Sequence, residues 1–244
     1  MSKRPIAISV DNLTVKYGGF VAAENISFNV FSNEVFGLLG PNGAGKTSIL
    51  RVLTTIMKPA HGKAVVGSYD VAKNVKAIRP LIGVVPESFA LYNYLTAREN
   101  LLFFSKPYHL AKELQNKNIE RVSTIPKIQD RLDDKILTFS SGMKQKISIA
   151  CAVIHDPKFL FMDEPTIGLD PKIRRTIWKL IADLKEKMTI FMTTHYLEEA
   201  EQICDNVTII NQGHIVAQGN PLELNQLHNV QCLEEVFIKC TGEE

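Results

Sequence analysis

Residues 40–47, Gly40-Pro41-Asn42-Gly43-Ala44-Gly45-Lys46-Thr47, fit the phosphate-cradling pattern GxxxxGK(S/T) without a mismatch. A backbone that aims several N–H groups at one phosphate chain needs bare backbone where a side chain would block the approach, and Gly40, Gly43 and Gly45 supply it. Lys46 adds a point charge for the terminal phosphates and Thr47 a hydroxyl for Mg²⁺. The helix that opens there turns its positive end toward the anion. Residues 35–39 read as a buried strand leading into the loop, and residues 46–54 carry apolar side chains at helical spacing leaving it. A glycine-rich turn of no chemical consequence would not need strand, loop and helix in that order. The segment therefore predicts a protein that handles a nucleotide.

A second group of reactive residues lies downstream. Lys158-Phe159-Leu160-Phe161-Met162-Asp163-Glu164-Pro165 places two acids at the end of an apolar strand, where open parallel sheets bind ligands. Asp163 is expected to hold Mg²⁺, directly or through water. Glu164, facing the opposite way along extended chain, is expected to polarise the water that attacks a γ-phosphate. A lone Asp-Glu pair is more often a solvated strand end; the apolar lead-in and the upstream loop favour the active role.

The elements that must position these groups follow from periodicity. Residues 6–10 and 13–17 alternate on either side of Asp11-Asn12, and residues 22–30 and 34–39 read as strands flanking Ser32-Asn33, an antiparallel N-terminal portion. Beyond the loop, residues 82–85, 158–162, 189–192 and 206–210 are short apolar strands, with helical patterns at 172–187 and 197–204 between the later ones. That alternation implies a parallel sheet covered by helices on both faces. Between residues 95 and 155 the strand signal disappears, and 97–104, 112–124 and 141–154 read as helices of an inserted lobe. A hairpin around Asn211-Gln212-Gly213 and short helices at 221–227 and 233–238 close the chain.

The chain is long enough to bury a large core without metals or disulfides, so stability does not account for these motifs. Its net charge of +2 and the absence of a dense basic stripe make nucleic acid an unexpected partner. Cys151, Cys204, Cys232 and Cys240 form no CxxC pair, which points to reduced thiols and a cytosolic setting. The basic start, Met1 to Pro5, runs into a strand pattern and not an apolar signal core, so it reads as unprocessed. Apolar runs such as residues 149–154 fall far short of the ~20 residues that span a bilayer.

With these motifs in order, the chain resembles, over nearly its whole length, the nucleotide-binding subunit of an ATP-binding cassette (ABC) transporter. Tyr17, in YGGF, matches the aromatic on which adenine stacks. Phe139-Ser140-Ser141-Gly142-Met143 matches the signature whose serine and following amides cap the γ-phosphate of ATP held by a partner subunit; Ser140-Ser141 is also simply a good N-cap. Gly168-Leu169-Asp170 matches the loop that communicates across the dimer, and His195, after Thr193-Thr194, matches the switch histidine. FSSGMKQK, TTHYLEEAE, ALYNYLTARENL and LEEVFIKCTG are similar to the type-2 exporters, which move drugs, polysaccharides, lipids or ions through a permease usually encoded separately.

The resemblance implies one ABC-type domain over 1–244: a P-loop NTPase core lobe (1–94 and 156–220) with an N-terminal antiparallel β subdomain, a helical lobe (95–155) and a helical tail (221–244). It implies ATP held by Tyr17, residues 40–47, Ser48, Glu87, Ser140, Ser141, Gly142 and Asp170, Mg²⁺ held by Thr47, Asp163 and Glu87, and catalysis by Glu164, His195 and Lys46. It further implies a second copy of the subunit, an integral-membrane permease gripped near Glu87, Phe89 and Tyr92, and a cytoplasmic, peripheral location on the cell membrane. Two departures stand out. Glu87 replaces the usual glutamine, so its charge either strengthens Mg²⁺ binding or repels the nucleotide; Ser141 and Met143 replace a glycine and a glutamine of the signature, which is expected to slow hydrolysis. The competing reading is a non-transport ABC ATPase acting on nucleic acid or ribosomes, for which a second cassette in the chain or a long coiled coil, together with a basic surface, is the expected mark.

Overall fold

The computed structural model describes residues 4–124 and 128–242. Met1, Ser2 and Lys3 of the basic start and the last two residues of the tail lie outside the described residues, as do residues 125–127. In chain order the elements are strands β1 (Ile6–Tyr17), β2 (Phe20–Phe31) and β3 (Val35–Leu39), helix α1 (Lys46–Leu53), strands β4 (His61–Val66) and β5 (Tyr69–Asp70), helix α2 (Val75–Ile78) and strand β6 (Ile82–Val85). Helices α3 (Ala97–Ser105), α4 (Lys112–Thr124) and α5 (Ser141–Ala152) then follow one another. Next come β7 (Phe159–Asp163), α6 (Pro171–Lys185), β8 (Thr189–Thr194), α7 (Leu197–Ile203), β9 (Asn206–Asn211), β10 (His214–Gly219), α8 (Pro221–His228) and α9 (Leu233–Thr241).

Two sheets organise the molecule. The larger has the order β10-β9-β3-β8-β7-β6, parallel except for β10; the smaller, β2-β1-β4-β5, is antiparallel. Because side chains alternate along a strand, the larger sheet feeds two cores. Leu160, Met162, Ile190 and Met192 face helices α3, α5 and α6, whereas Phe161 and Phe191 face α1 and the smaller sheet. There Phe28, Phe36 and Phe191 stack with ring centroids 5.1 to 6.0 Å apart, locking one sheet onto the other.

The architecture is the α/β one expected from the sequence, with three differences. Residues 6–17 form one strand, because Asn12 adopts a left-handed conformation (φ 48°) that an asparagine tolerates, and the register shifts there without ending the ladder. β3 belongs to the parallel sheet, between β8 and β9, and not to the antiparallel portion. β4, β5 and α2 carry no clear periodic signal, since the polar His61-Gly62-Lys63 opens β4 and α2 is a single turn.

Two packing details have measurable consequences. His155, after α5, stacks on Tyr108 with ring centroids 3.6 Å apart and planes 5° apart, and its Nε2–H donates to the Ile82 carbonyl of β6 at 3.0 Å. Burial lowers the His155 pKa to about 4. The unfolded chain therefore takes up this proton first as pH falls through the ordinary imidazole range near 6.5, and stability drains away between there and about pH 4. For a ring only partly shielded, urea unfolding near pH 5 should show a loss of roughly 1 kcal/mol relative to neutral pH; His155→Phe should flatten that part of the pH profile, and an unchanged slope would reject the assignment. At Gly142, in the first turn of α5, a Cβ would lie 2.5 Å from Ile173 Cγ2 of α6. Gly142→Ala should lower stability by about 1–3 kcal/mol in denaturant titration, and adding Ile173→Ala should recover part of that loss.

Candidate functional site

Three adjacent strands of the larger sheet, β3, β8 and β7, end at one place. The loop 40–45 leaves β3, Asp163 closes β7, and His195 follows β8. The loop can pass this close to its neighbours only as glycine: at Gly40 (φ 150°) a Cβ would sit 2.1 Å from the Ile210 carbonyl, and at Gly45 (φ 102°) it would sit 2.3 Å from the Ala22 carbonyl. Gly43 (φ 82°) faces open space, leaving room for a ligand against the loop.

Lys46 opens α1 and is almost fully buried. Its Nζ donates to the carbonyls of Gly40 (2.7 Å) and Pro41 (3.1 Å) and pairs with Glu164 Oε1 at 3.2 Å. Three oxygens thus surround a buried ammonium on the floor of the loop, the arrangement that phosphate oxygens can take over. Beside it, the Thr47 hydroxyl donates to Asp163 Oδ1 at 3.1 Å, and the Thr193 hydroxyl donates to the same oxygen. A hydroxyl and a carboxylate side by side are hard oxygen donors suited to Mg²⁺.

Glu164 departs from the expected geometry. It is not extended: its φ is 47°, a left-handed conformation that costs a non-glycine residue about 1–2 kcal/mol. Its backbone N–H is held by the Thr193 carbonyl and hydroxyl, both at 3.1 Å. Its Oε2 accepts from the His195 backbone at 3.2 Å and lies 2.8 Å from His195 Nδ1. The buried carboxylate is therefore gripped by Lys46 on one oxygen and His195 on the other.

Of the remaining sequence candidates, Tyr17 ends β1 at the edge of the site and is 42% exposed, with its hydroxyl accepting from Arg51 of α1 at 3.3 Å. Bonding from Ser48 first, and then from Arg51, holds that phenol below its ordinary pKa. Ser140, Ser141 and Gly142 lie elsewhere, at the start of α5, where the Ser140 hydroxyl caps Met143 N–H at 3.4 Å. Both serines are exposed, and among the described residues no hydrogen bond joins them to the loop 40–47. Asp170 caps α6, accepting from the N–H groups of Lys172 and Ile173 at 3.1 Å. Glu87 is exposed on the loop after β6, and among the described residues it makes no hydrogen bond or ion pair.

Sequence reading missed the groups behind the site. Thr193 bridges Asp163 and the Glu164 amide. Glu199 of α7 is fully buried, and its Oε1 accepts from the Thr166 hydroxyl and from Trp178 Nε1, each at 2.8 Å. Burial raises the Glu199 pKa, opposed by hydrogen bonds from Thr166, Thr194 and Trp178. The available signal was an acid four residues after His195, next to the apolar Ala200 on the inward side of a helix. A groove of 560 Å³ lies between the sheet and helices α3 and α5, bordered by Ile56, Arg79, Leu91, Phe104, Tyr108 and Cys151. It adjoins the expected permease contact, but Glu87, Phe89 and Tyr92 do not line it; the Tyr92 ring packs on Phe103 at 4.6 Å.

Known proteins resemble this chain in sequence and in fold. A family model described as "ABC transporter" matches residues 23–167. The linearmycin resistance ATP-binding protein LnrL of Bacillus subtilis is 40% identical over 218 residues, covering 89% of this chain and 70% of that protein. The Nod factor export ATP-binding protein I of Sinorhizobium fredii is 37% identical, covering 90% of this chain and 64% of that protein. The probable multidrug ABC transporter ATP-binding protein YbhF of Escherichia coli is 37% identical, covering 95% and 41%. The chain thus spans between 41% and 70% of the lengths of these relatives. A solved ATP-binding subunit of an ABC transporter superposes with a TM-score of 0.85 at 28% identity, covering 96% of this chain and 99% of that one. With the family model spanning more than half of its residues and a loop, carboxylate pair and histidine assembled at the ends of three parallel strands, the chain belongs to the ATP-binding subunits of the ABC transporter family.

Proposed function

We propose that this subunit hydrolyses ATP to drive export through a separate membrane permease, working as one half of a head-to-tail pair. The observation that carries the reading is the grip of Lys46 and His195 on Glu164, 3.2 Å and 2.8 Å away, at the mouth of a phosphate-cradling loop. The relatives' names, which concern linearmycin resistance, Nod factor export and multidrug transport, favour export over an activity on nucleic acid or ribosomes.

In this proposal Tyr17 stacks on the adenine and the loop amides cradle the phosphates, while phosphate oxygens replace the Gly40 and Pro41 carbonyls at Lys46 Nζ. Thr47 and Asp163 would hold Mg²⁺, which when bound offsets charge on the phosphate chain. Once Lys46 turns to the phosphate, Glu164 Oε1 is free to accept a proton from the attacking water. His195 keeps the carboxylate aimed through Oε2 and stands beside the developing charge.

The start of α5, with exposed Ser140 and Ser141 beside buried Gly142, serves the nucleotide of the other copy in this proposal; among the described residues no hydrogen bond joins it to its own loop. A two-fold pair then uses the same residues on both sides, and closure needs ATP in both sites. The same proposal divides the chain into a core lobe (1–94 and 156–220), a helical lobe (95–155) and a tail (221–244), with the groove between the lobes as the place where a cytoplasmic permease helix docks. Among the described residues no helix is long and apolar enough to cross a membrane; the proposal puts the subunit on the cytoplasmic face, bound to the permease.

Glu164→Gln should cut ATP turnover by about 10²-fold or more while ATP binding persists, and Lys46→Ala should abolish binding; wild-type turnover in the first variant would refute the assignment. Glu87 is the proposed third oxygen donor to the metal. Glu87→Gln should then raise the Mg²⁺ concentration needed for half-maximal hydrolysis, and an unmoved Mg²⁺ curve would remove Glu87 from the site.

A further inference from the structure

We infer that Glu199, acting through Thr166, is a positioning residue that holds Glu164 in its working conformation, and that Trp178 reads out that link. The inference rests on the proposed role of Glu164 as the base. Glu164 adopts a left-handed conformation, so the segment carrying it must be held from more than one side. Two cross-links join this segment to the one that follows β8. The first is Glu164 to His195 at 2.8 Å; the second is Thr166 to Glu199 at 2.8 Å. They are spaced two residues apart on one side and four on the other, and the stiff Pro165 lies between Glu164 and Thr166. Thr166 is fully buried, and its own carbonyl accepts from Leu169 N–H at 3.2 Å just after Ile167 N–H bonds Glu164 O at 3.2 Å. The turn is thus wound tightly, and a displacement of Thr166 is carried to Glu164.

Helix α6 fastens the second cross-link. Trp178 Nε1 donates to the Glu199 oxygen that also serves Thr166. One turn earlier, Arg174 lies over the Tyr196 ring at 4.4 Å, and that ring sits 4.1 Å from His195. A carboxylate is suited to this place because one oxygen can accept two donors from different elements. A nonpolar residue there would leave the buried Thr166 hydroxyl and the part-buried indole N–H without this partner.

The link can be followed directly, because Trp178 is the only tryptophan of the chain and its indole N–H is bonded to the carboxylate in question. Thr166→Val keeps the shape of the side chain and deletes the cross-link; Thr166→Ser restores the hydroxyl. In the full chain, Thr166→Val should lower kcat about tenfold with the Kd for ATP within about twofold of wild type, and Thr166→Ser should recover most of the rate. Mg²⁺ and ATP added to Glu164→Gln should shift Trp178 emission, and the same addition to Glu164→Gln with Thr166→Val should not. Wild-type turnover by Thr166→Val, equal impairment of the Val and Ser variants, or emission that ignores nucleotide in Glu164→Gln would overturn the inference. If Glu164→Gln itself hydrolyses ATP at the wild-type rate, the role of Glu164 falls, and the inference with it; an inactive Glu164→Gln beside a fully active Thr166→Val removes the inference alone.

Discussion

One buried carboxylate, held by a lysine on one oxygen and a histidine on the other, is the interaction on which this molecule turns. Glu164 sits in a backbone conformation that an isolated glutamate avoids, and the compensation comes from three directions: Lys46 at the start of α1, Thr193 at the end of β8 and His195 just beyond it. Lys46 and Thr193 are buried, Thr193 on a strand buried along its whole length, and His195 follows directly from that strand. The parallel sheet, covered on both faces, is therefore less a container than an alignment device that brings three strand ends within hydrogen-bonding distance.

The competition at Lys46 gives the site its logic. Without a phosphate chain the ammonium is satisfied by two carbonyls and the Glu164 carboxylate, so no charge is buried unpaired. A triphosphate would offer the same lysine more negative charge, and Lys46 in turning to it would release one oxygen of Glu164 while the other stayed with His195. In the proposed cycle, the act of binding thus uncovers the base without requiring a large rearrangement of the sheet.

Much of this was legible in the sequence. The run from Gly40 to Thr47 stands out by its motif alone, and the structure adds a reason for two of its glycines, since carbonyls of distant Ile210 and Ala22 lie 2.1 and 2.3 Å from where a Cβ at Gly40 and Gly45 would stand. The helices at residues 97–105, 112–124 and 171–185 follow their apolar spacing. What escaped notice has a common physical cause: it depends on contacts between segments far apart in the chain. Nothing local reveals that β3 inserts between β8 and β9, that Glu164 turns left-handed, or that Glu199 receives donors from both Thr166 and Trp178. Residues 61–70 failed for the opposite reason, since two short polar-edged strands leave no periodicity to detect.

The seam between Gly142 and Ile173 has a steric corollary. Two helices that meet without an intervening Cβ leave no room for a larger side chain, so position 142 is confined to glycine by the neighbouring helix and not by its own backbone, which is ordinary helix.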